Sequence, residues 1–204
     1  DPYQRLHGDF RWLVPEHFNI AQVCSARWAQ RPDATKRIAI KAHSERGNGQ
    51  NHSYASLQAQ ANRLSNVLTG LGVKRGDRVA IVMPQRFETA VAYIAVLQMG
   101  AVAMPLSMLF GPEALEFRLQ DSDAVAAICD ATALEGLHAV RVRCPQLRSV
   151  LVVGEANAPV LPGADLDYWA ATTKSPARFT MADTRADDPA VLIYTSGTTG
   201  QPKG

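Results

Sequence analysis

Between Arg78 and Val153 the chain repeats one pattern: a short run of apolar residues, then a stretch with helical spacing. The runs are Val79-Ala-Ile-Val-Met83, Ala101-Val-Ala-Met104, Ala124-Val-Ala-Ala-Ile128 and Ser149-Val-Leu-Val-Val153. None of them alternates apolar with polar, so each predicts a strand covered on both faces. Phe87 to Met99, Pro112 to Gln120 and Ala131 to Val142 lie between them and read as helices, the second with proline in its first turn. Strands of this kind separated by helices predict an α/β fold, a parallel sheet flanked by helices.

The flanks are read in the same way. Residues 1–18 predict an aromatic, irregular arm (Phe10, Trp12, Phe18) packed on the body. Asn19 predicts an N-cap for a helix that carries Ile20, Val23, Cys24 and Trp28 at helical spacing and is closed by Pro32. Ile38-Ala-Ile40 predicts a strand, and Ser44 to Gln50 a turn around Gly47-Asn-Gly49. Leu57, Ala61, Leu64, Leu68 and Leu71 step by fours and threes, so a helix runs there until Gly70 or Gly72 stops it. Residues 154–188, rich in Pro, Ala, Asp and Thr, predict a long connection, and Ala190–Tyr194 another strand. The expected organisation is an arm (1–18), an α/β body (19–153), a connection (154–189), and a strand with its loop (190–204).

Composition excludes several classes. The chain has 204 residues, 47% hydrophobic and 20% charged, enough for a substantial core. Its net charge is +2, from 21 basic and 19 acidic side chains, which gives no electrostatic case for nucleic acid or an anionic membrane. No apolar stretch has the length of a membrane span, and Asp1-Pro-Tyr-Gln-Arg5 is not a signal peptide, so the expectation is a cytoplasmic protein. The absence of an initiator Met predicts that residues precede Asp1. Cys24, Cys129 and Cys144 are irregularly spaced, against a disulfide framework or a zinc site. Cys129 ends an apolar run and reads as a buried thiol. The five histidines lack ligand spacing and read as surface or capping residues. Arg86 and Arg118 read as solvated surface charges, with a place for Arg86 along a ligand channel as the alternative.

The richest chemistry lies in Tyr194-Thr-Ser-Gly-Thr-Thr-Gly-Gln-Pro-Lys-Gly204. Thr195, Ser196, Thr198 and Thr199 supply hydroxyls, Gly197, Gly200 and Gly204 allow close backbone approach, and Lys203 supplies a point charge. A strand opening into such a loop is a way to hold phosphate. A flexible linker would share the composition, but the abutting apolar run Ala190–Ile193, the lysine and the stiffening Pro202 argue against one. A Walker A loop fails because no Gly-Lys-Ser/Thr element is present. A dinucleotide fingerprint fails because Gly70-Leu-Gly72 and Gly47-Asn-Gly49 lack the third glycine.

This stretch closely resembles the phosphate-loop signature of the adenylate-forming (AMP-dependent synthetase and ligase) superfamily, which includes acyl-CoA synthetases, peptide-synthetase adenylation domains and luciferases. The resemblance extends upstream. Ser53-Tyr54-Ala-Ser-Leu57 is similar to the family's T/S-Y-x-x-L element, and Gly100-Ala-Val-Ala-Met-Pro105 to its G-A-x-x-x-P element. Both read as structural: Ser53 as a cap, Tyr54 as packing, Gly100 as a helix stop and Pro105 as a strand stop. Leu109-Phe-Gly-Pro-Glu-Ala-Leu-Glu-Phe-Arg118-Leu and Phe10-Arg-Trp…His17-Phe-Asn19 resemble the acetyl- and medium-chain acyl-CoA synthetases more than peptide-synthetase domains.

The resemblance implies a two-step acid–thiol ligase. A carboxylic acid attacks the α-phosphorus of ATP to give acyl-AMP and pyrophosphate, and coenzyme A then displaces AMP. It implies ATP, coenzyme A and Mg²⁺, a place in fatty acid metabolism, small-molecule partners and no nucleic acid, and it is compatible with a homo-oligomer. Thr195, Ser196, Thr198 and Thr199 would contact the β- and γ-phosphates. Gly197 and Gly200 would let them approach, and Lys203 would neutralise charge. Lys203 and Thr198 are the residues implied in catalysis. The acyl pocket, ribose-binding acid, hinge and C-terminal domain with its catalytic lysine follow this loop in the family and are absent from this chain. The expectation is therefore the N-terminal part of the AMP-binding domain, inactive alone. An adenylation domain loading a carrier protein and a non-catalytic binding module are the alternatives.

Overall fold

The computed structural model describes residues 1–43, 49–155, 164–195 and 202–204. Helix α1 (Pro2–Asp9) opens the chain, and a π turn (Gln22–Ala26) runs into α2 (Arg27–Ala29). An antiparallel ribbon follows, β1 (Ile38–Ala42) with β2 (Gln50–Ser53), and then α3 (Tyr54–Gly70). From there β3 (Arg78–Val82), α4 (Phe87–Gln98), β4 (Val102–Pro105), α5 (Pro112–Asp121), β5 (Ala126–Asp130), α6 (Leu134–Arg141) and β6 (Ser149–Val153) alternate. The described chain adds β7 (Leu166–Asp167) and α7 (Tyr168–Lys174).

The five-stranded sheet has the order β4-β3-β5-β6-β7 and every neighbouring pair is parallel. The apolar runs behave as expected, because alternate residues serve two cores. Val79, Ile81, Ala126, Ile128, Leu151 and Val153 face α3, α4 and α7, where Leu57, Leu64, Val91 and Tyr168 meet them. Ala80, Val82, Ala127, Cys129, Val150 and Val152 face α5 and α6, against Leu115, Leu119, Leu137 and Val140. Burial pushes the Cys129 thiol up to about 12, with Asp130 adding, and raises that of Cys144. Both thiols are buried and Cys24 is exposed. At pH 8 a maleimide is therefore expected to label Cys24 alone on the native protein, with Cys129 and Cys144 labelled only after denaturation. Peptide mass mapping reads this directly.

A buried polar chain aligns α3 with α4. Gln58 Nε2 donates to Gln98 Oε1 at 2.9 Å, and Gln98 Nε2 donates to Ser65 Oγ at 2.6 Å. Ser53 caps α3 by accepting from the Ser56 N–H at 3.2 Å, as its sequence position implies. Gly70 lies within the helix, and Gly72, at φ +80°, is the stop. Gly100 ends α4 at φ +71°, and a Cβ there would lie 2.9 Å from Thr184 Cγ2. Gly100→Ala is expected to lower stability by about 2 kcal/mol in urea unfolding, from backbone strain and crowding together.

The flanks depart from expectation at definable places. The arm is irregular only from Phe10 onward, since Asp1 caps α1 through the Tyr3 N–H, and most of the arm is not packed. Trp12 is 81% exposed, and the arm joins the body only from Glu16 onward. Asn19 does cap the next helix, accepting from the Ala21 N–H at 3.0 Å. However, the π turn changes the residues per turn, so Ala21, Ser25 and Ala26 are buried and Cys24 faces solvent. Gln50 begins a strand, not the end of a turn, and residues 44–48 lie outside the described residues. The connection 154–188 contains β7 and α7. Asp167 caps α7 through the Ala170 N–H at 2.7 Å, and Tyr168 is buried beneath it.

Two sets of polar contacts route the chain from α7 back to the sheet. Asn62, Arg63 and Asn66 on α3 donate to the carbonyls of Ala177, Ser175, Pro176 and Arg178. Further on, the arm pairs with residues 182–186. The Phe18 N–H donates to Thr184 O at 2.8 Å, and Asn19 Nδ2 donates to Ala182 O at 3.1 Å. Among the described residues no helix is long and apolar enough to cross a membrane.

Candidate active site

Residues 190–195 run beside β4 at the edge of the sheet. The Ala103 N–H donates to Ala190 O at 2.9 Å, and the Leu192 N–H donates to Ala103 O at 3.0 Å, a parallel pairing centred on Val191. The expected strand Ala190–Tyr194 is thus reduced to a single bridge. Pro105 has no N–H for the next rung, which would reach Leu192 O. The direction is nonetheless that of the sheet, so the segment delivers Thr195 to the carboxyl edge, where open α/β sheets place their ligands.

Tyr194 fixes that delivery. Its hydroxyl donates to Asp121 Oδ2 at 2.6 Å, and its ring meets Phe117 edge-on with centroids 6.4 Å apart. Burial first, and the Asp121 hydrogen bond second, raise the phenol above its ordinary value, so it stays a donor at neutral pH. Thr195 and Lys203 then pair with each other. The Thr195 N–H donates to Lys203 O at 2.9 Å, and the Lys203 N–H donates to Thr195 O at 3.1 Å. Two residues that exchange both bonds across an antiparallel pair carry their side chains on the same face. The Thr195 hydroxyl and the Lys203 ammonium, both exposed, therefore start from one side of a closed neck. Gly204 fits beneath this neck only as glycine, since a Cβ would lie 2.9 Å from the Tyr194 ring. Ser196, Gly197, Thr198, Thr199 and Gly200 lie outside the described residues, so of the sequence-predicted site the structure brings together Thr195 and Lys203.

Both arginines depart from the surface reading. Arg86 follows β3, and its guanidinium reaches Glu88 at 2.6 Å and Asp130, the last residue of β5, at 3.1 Å. Burial works against its charge, but the two carboxylates outweigh burial and hold the group above its ordinary value. The chain leaves β3 towards the α4 face and leaves β5 towards the α6 face, so the sheet divides between these strands. Arg86 ties that division shut. Arg118 is only 7% exposed, and its guanidinium lies 4.1 Å above the Phe110 ring and 5.6 Å from the Tyr194 ring centre. One of these two rings, that of Tyr194, comes from a segment 76 residues away, and no local pattern announces that pairing. Among the described residues no group of three or more His, Cys, Asp or Glu could hold a metal ion.

Comparison with known proteins gives this arrangement a context. The family model described as AMP-binding enzyme matches residues 24–204. An acetyl-coenzyme A synthetase of Nostoc linckia is 32% identical over 95% of this chain and 60% of its own length. One from Coprinopsis cinerea is 30% identical over 97% of this chain and 32% of its own. The crystal structure of a Brucella canis acyl-CoA synthetase superposes with a TM-score of 0.83 at 23% identity, over all of this chain and 35% of that one, which establishes the shared fold. This chain thus spans between about a third and three-fifths of the length of these relatives. With the family model matching from Cys24 through the Thr195–Lys203 neck to Gly204, the chain belongs to the AMP-binding enzyme family, the adenylate-forming superfamily.

Proposed function

We propose that this chain supplies the phosphate-holding part of an AMP-forming acyl-CoA synthetase. The observation that carries the reading is the Thr195–Lys203 pair, which closes a hydroxyl- and glycine-rich loop at the carboxyl edge of a parallel sheet. That the relatives named above are acetyl-coenzyme A synthetases favours a carboxylic acid and coenzyme A as the other substrates.

In this reading a carboxylate oxygen attacks the α-phosphorus of ATP, the bond to the bridging oxygen breaks, and pyrophosphate leaves with the electron pair. Negative charge grows on the leaving group. The ammonium of Lys203 and the hydroxyls of Thr195, Ser196, Thr198 and Thr199 stabilise it, while Gly197 and Gly200 let the backbone approach. Lys203 and Thr198 act on the departing pyrophosphate. Mg²⁺ would be bound mainly by phosphate oxygens and water and arrive with the nucleotide, which suits a loop of neutral and cationic donors. The thiol of coenzyme A then attacks the acyl carbon and AMP departs, giving the thioester. The whole is organised as an arm (1–18), a body (19–153), a connection (154–189) and the loop with its lead-in (190–204).

The test is to incubate the full-length gene product with ATP, Mg²⁺, coenzyme A and a panel of carboxylic acids, then identify products by mass. AMP together with an acyl-CoA supports the reading. AMP with no acyl-CoA for any acid, but with acyl transfer to a carrier protein, replaces it with carrier loading. ATP left intact with every acid overturns it.

A further inference from the structure

We infer that Arg118 is the positioning residue of the phosphate loop, acting through Tyr194. The guanidinium lies over two rings: that of Phe110, from the loop between β4 and α5, at 4.1 Å, and that of Tyr194, at the root of the proposed phosphate loop, at 5.6 Å. The cation is anchored from below by its own helix, since Nη1 donates to Ala114 O at 2.7 Å. Among the described residues no carboxylate pairs with it, and the ring faces provide its electrostatic compensation.

Asp121, one turn further along α5, holds the Tyr194 hydroxyl at 2.6 Å. The ring is thus gripped by a charge at its face and a hydrogen bond at its tip. Thr195 is the next residue, and its N–H and C=O make the neck with Lys203. A change in the Tyr194 ring has no flexible residue through which to dissipate before it reaches that pair. The same arginine links the phosphate loop to the segment around Phe110, so two loops at one edge of the sheet share a hinge pin. Sequence offers one retrospective signal, an arginine on α5 between the buried residues Leu115 and Leu119.

Naming the loop by its ligand rests on the function proposed above, but the test does not. Residue-resolved amide hydrogen exchange on the 204-residue chain is read without nucleotide. In Arg118→Met the Thr195 and Lys203 amides are expected to exchange about tenfold faster, a loss of cation–ring attraction expressed as local opening, with Ala80 and Ile128 in β3 and β5 nearly unchanged. Arg118→Lys, which keeps a charge over the rings, is expected to restore most of the protection. Unchanged Thr195 and Lys203 rates in Arg118→Met would overturn the inference. So would acceleration in equal measure at Ala80 and Ile128, which marks general destabilisation. Should Arg118→Met not fold, Phe110→Leu decides, since it removes one ring and leaves the guanidinium. Acceleration confined to Thr195 and Lys203 supports the inference, and its absence overturns it. A full-length gene product that leaves ATP intact would remove the ligase reading and leave this result standing.

Discussion

Lys203→Ala in the full-length gene product is expected to slow acyl-adenylate formation by about 10²-fold, roughly 2.7 kcal/mol of transition-state stabilisation. Thioester formation from supplied acyl-adenylate is expected to change only severalfold. The asymmetry follows from when charge develops: pyrophosphate departs in the first step and is absent from the second. The substitution is clean in structural terms. Lys203 joins the neck through its N–H and C=O, which alanine retains, so the Thr195 pairing survives and the ammonium alone is lost. Lys203→Arg separates charge from shape, because a planar guanidinium replaces a compact point charge, and partial activity is expected. Rapid-quench assays of each half-reaction check this. An equal loss in both would mean that Lys203 supports the fold or a later step, not pyrophosphate departure.

The second large effect concerns stability. Arg86→Met is expected to cost about 3 kcal/mol in urea unfolding, the low end of the range for stripping the partner from a buried charge, since Arg86 itself is 30% exposed. The loss comes less from Arg86 than from what it leaves behind. Glu88 and Asp130 have side chains only 11% and 14% exposed. Without the guanidinium they face each other across the carboxyl ends of β3 and β5. Adding Glu88→Gln and Asp130→Asn to Arg86→Met is therefore expected to recover most of the loss. The amide oxygen that Asp130→Asn introduces can still accept the Thr132 N–H, which Asp130 caps at 3.0 Å. A cost below about 1 kcal/mol for Arg86→Met would return Arg86 to the class of solvated surface pairs.

The two arginines show what could be read in the sequence. The sheet was legible because its strands are apolar on both faces, and Ser149–Val153 matches its strand residue for residue. The helix from Tyr54 was legible because its cap and its leucine spacing agree. What escaped depends on partners distant in the chain. Arg118 is covered by Phe110 and by a tyrosine 76 residues later, and Arg86 is engaged because Asp130 comes to it across the sheet. β2 escaped because Gln50-Asn-His-Ser53 is polar and lies in an exposed ribbon, where pairing, not burial, makes the strand. Tyr194 opens the motif in sequence, but its anchoring on Asp121 has no local signature. The glycine- and hydroxyl-rich composition of 195–204 was legible, and the pairing of Thr195 with Lys203 is visible only in the structure.

The central claim is that the loop rooted at Thr195 and Lys203 releases pyrophosphate from ATP during acid activation. ATP–pyrophosphate exchange on the full-length gene product, with thiol omitted and acids such as acetate supplied in turn, tests it most directly. The expected result is label entering ATP only when a cognate acid and Mg²⁺ are present, with the rate cut about 10²-fold in Lys203→Ala. Exchange that needs no acid, or that is undiminished in Lys203→Ala, would contradict it.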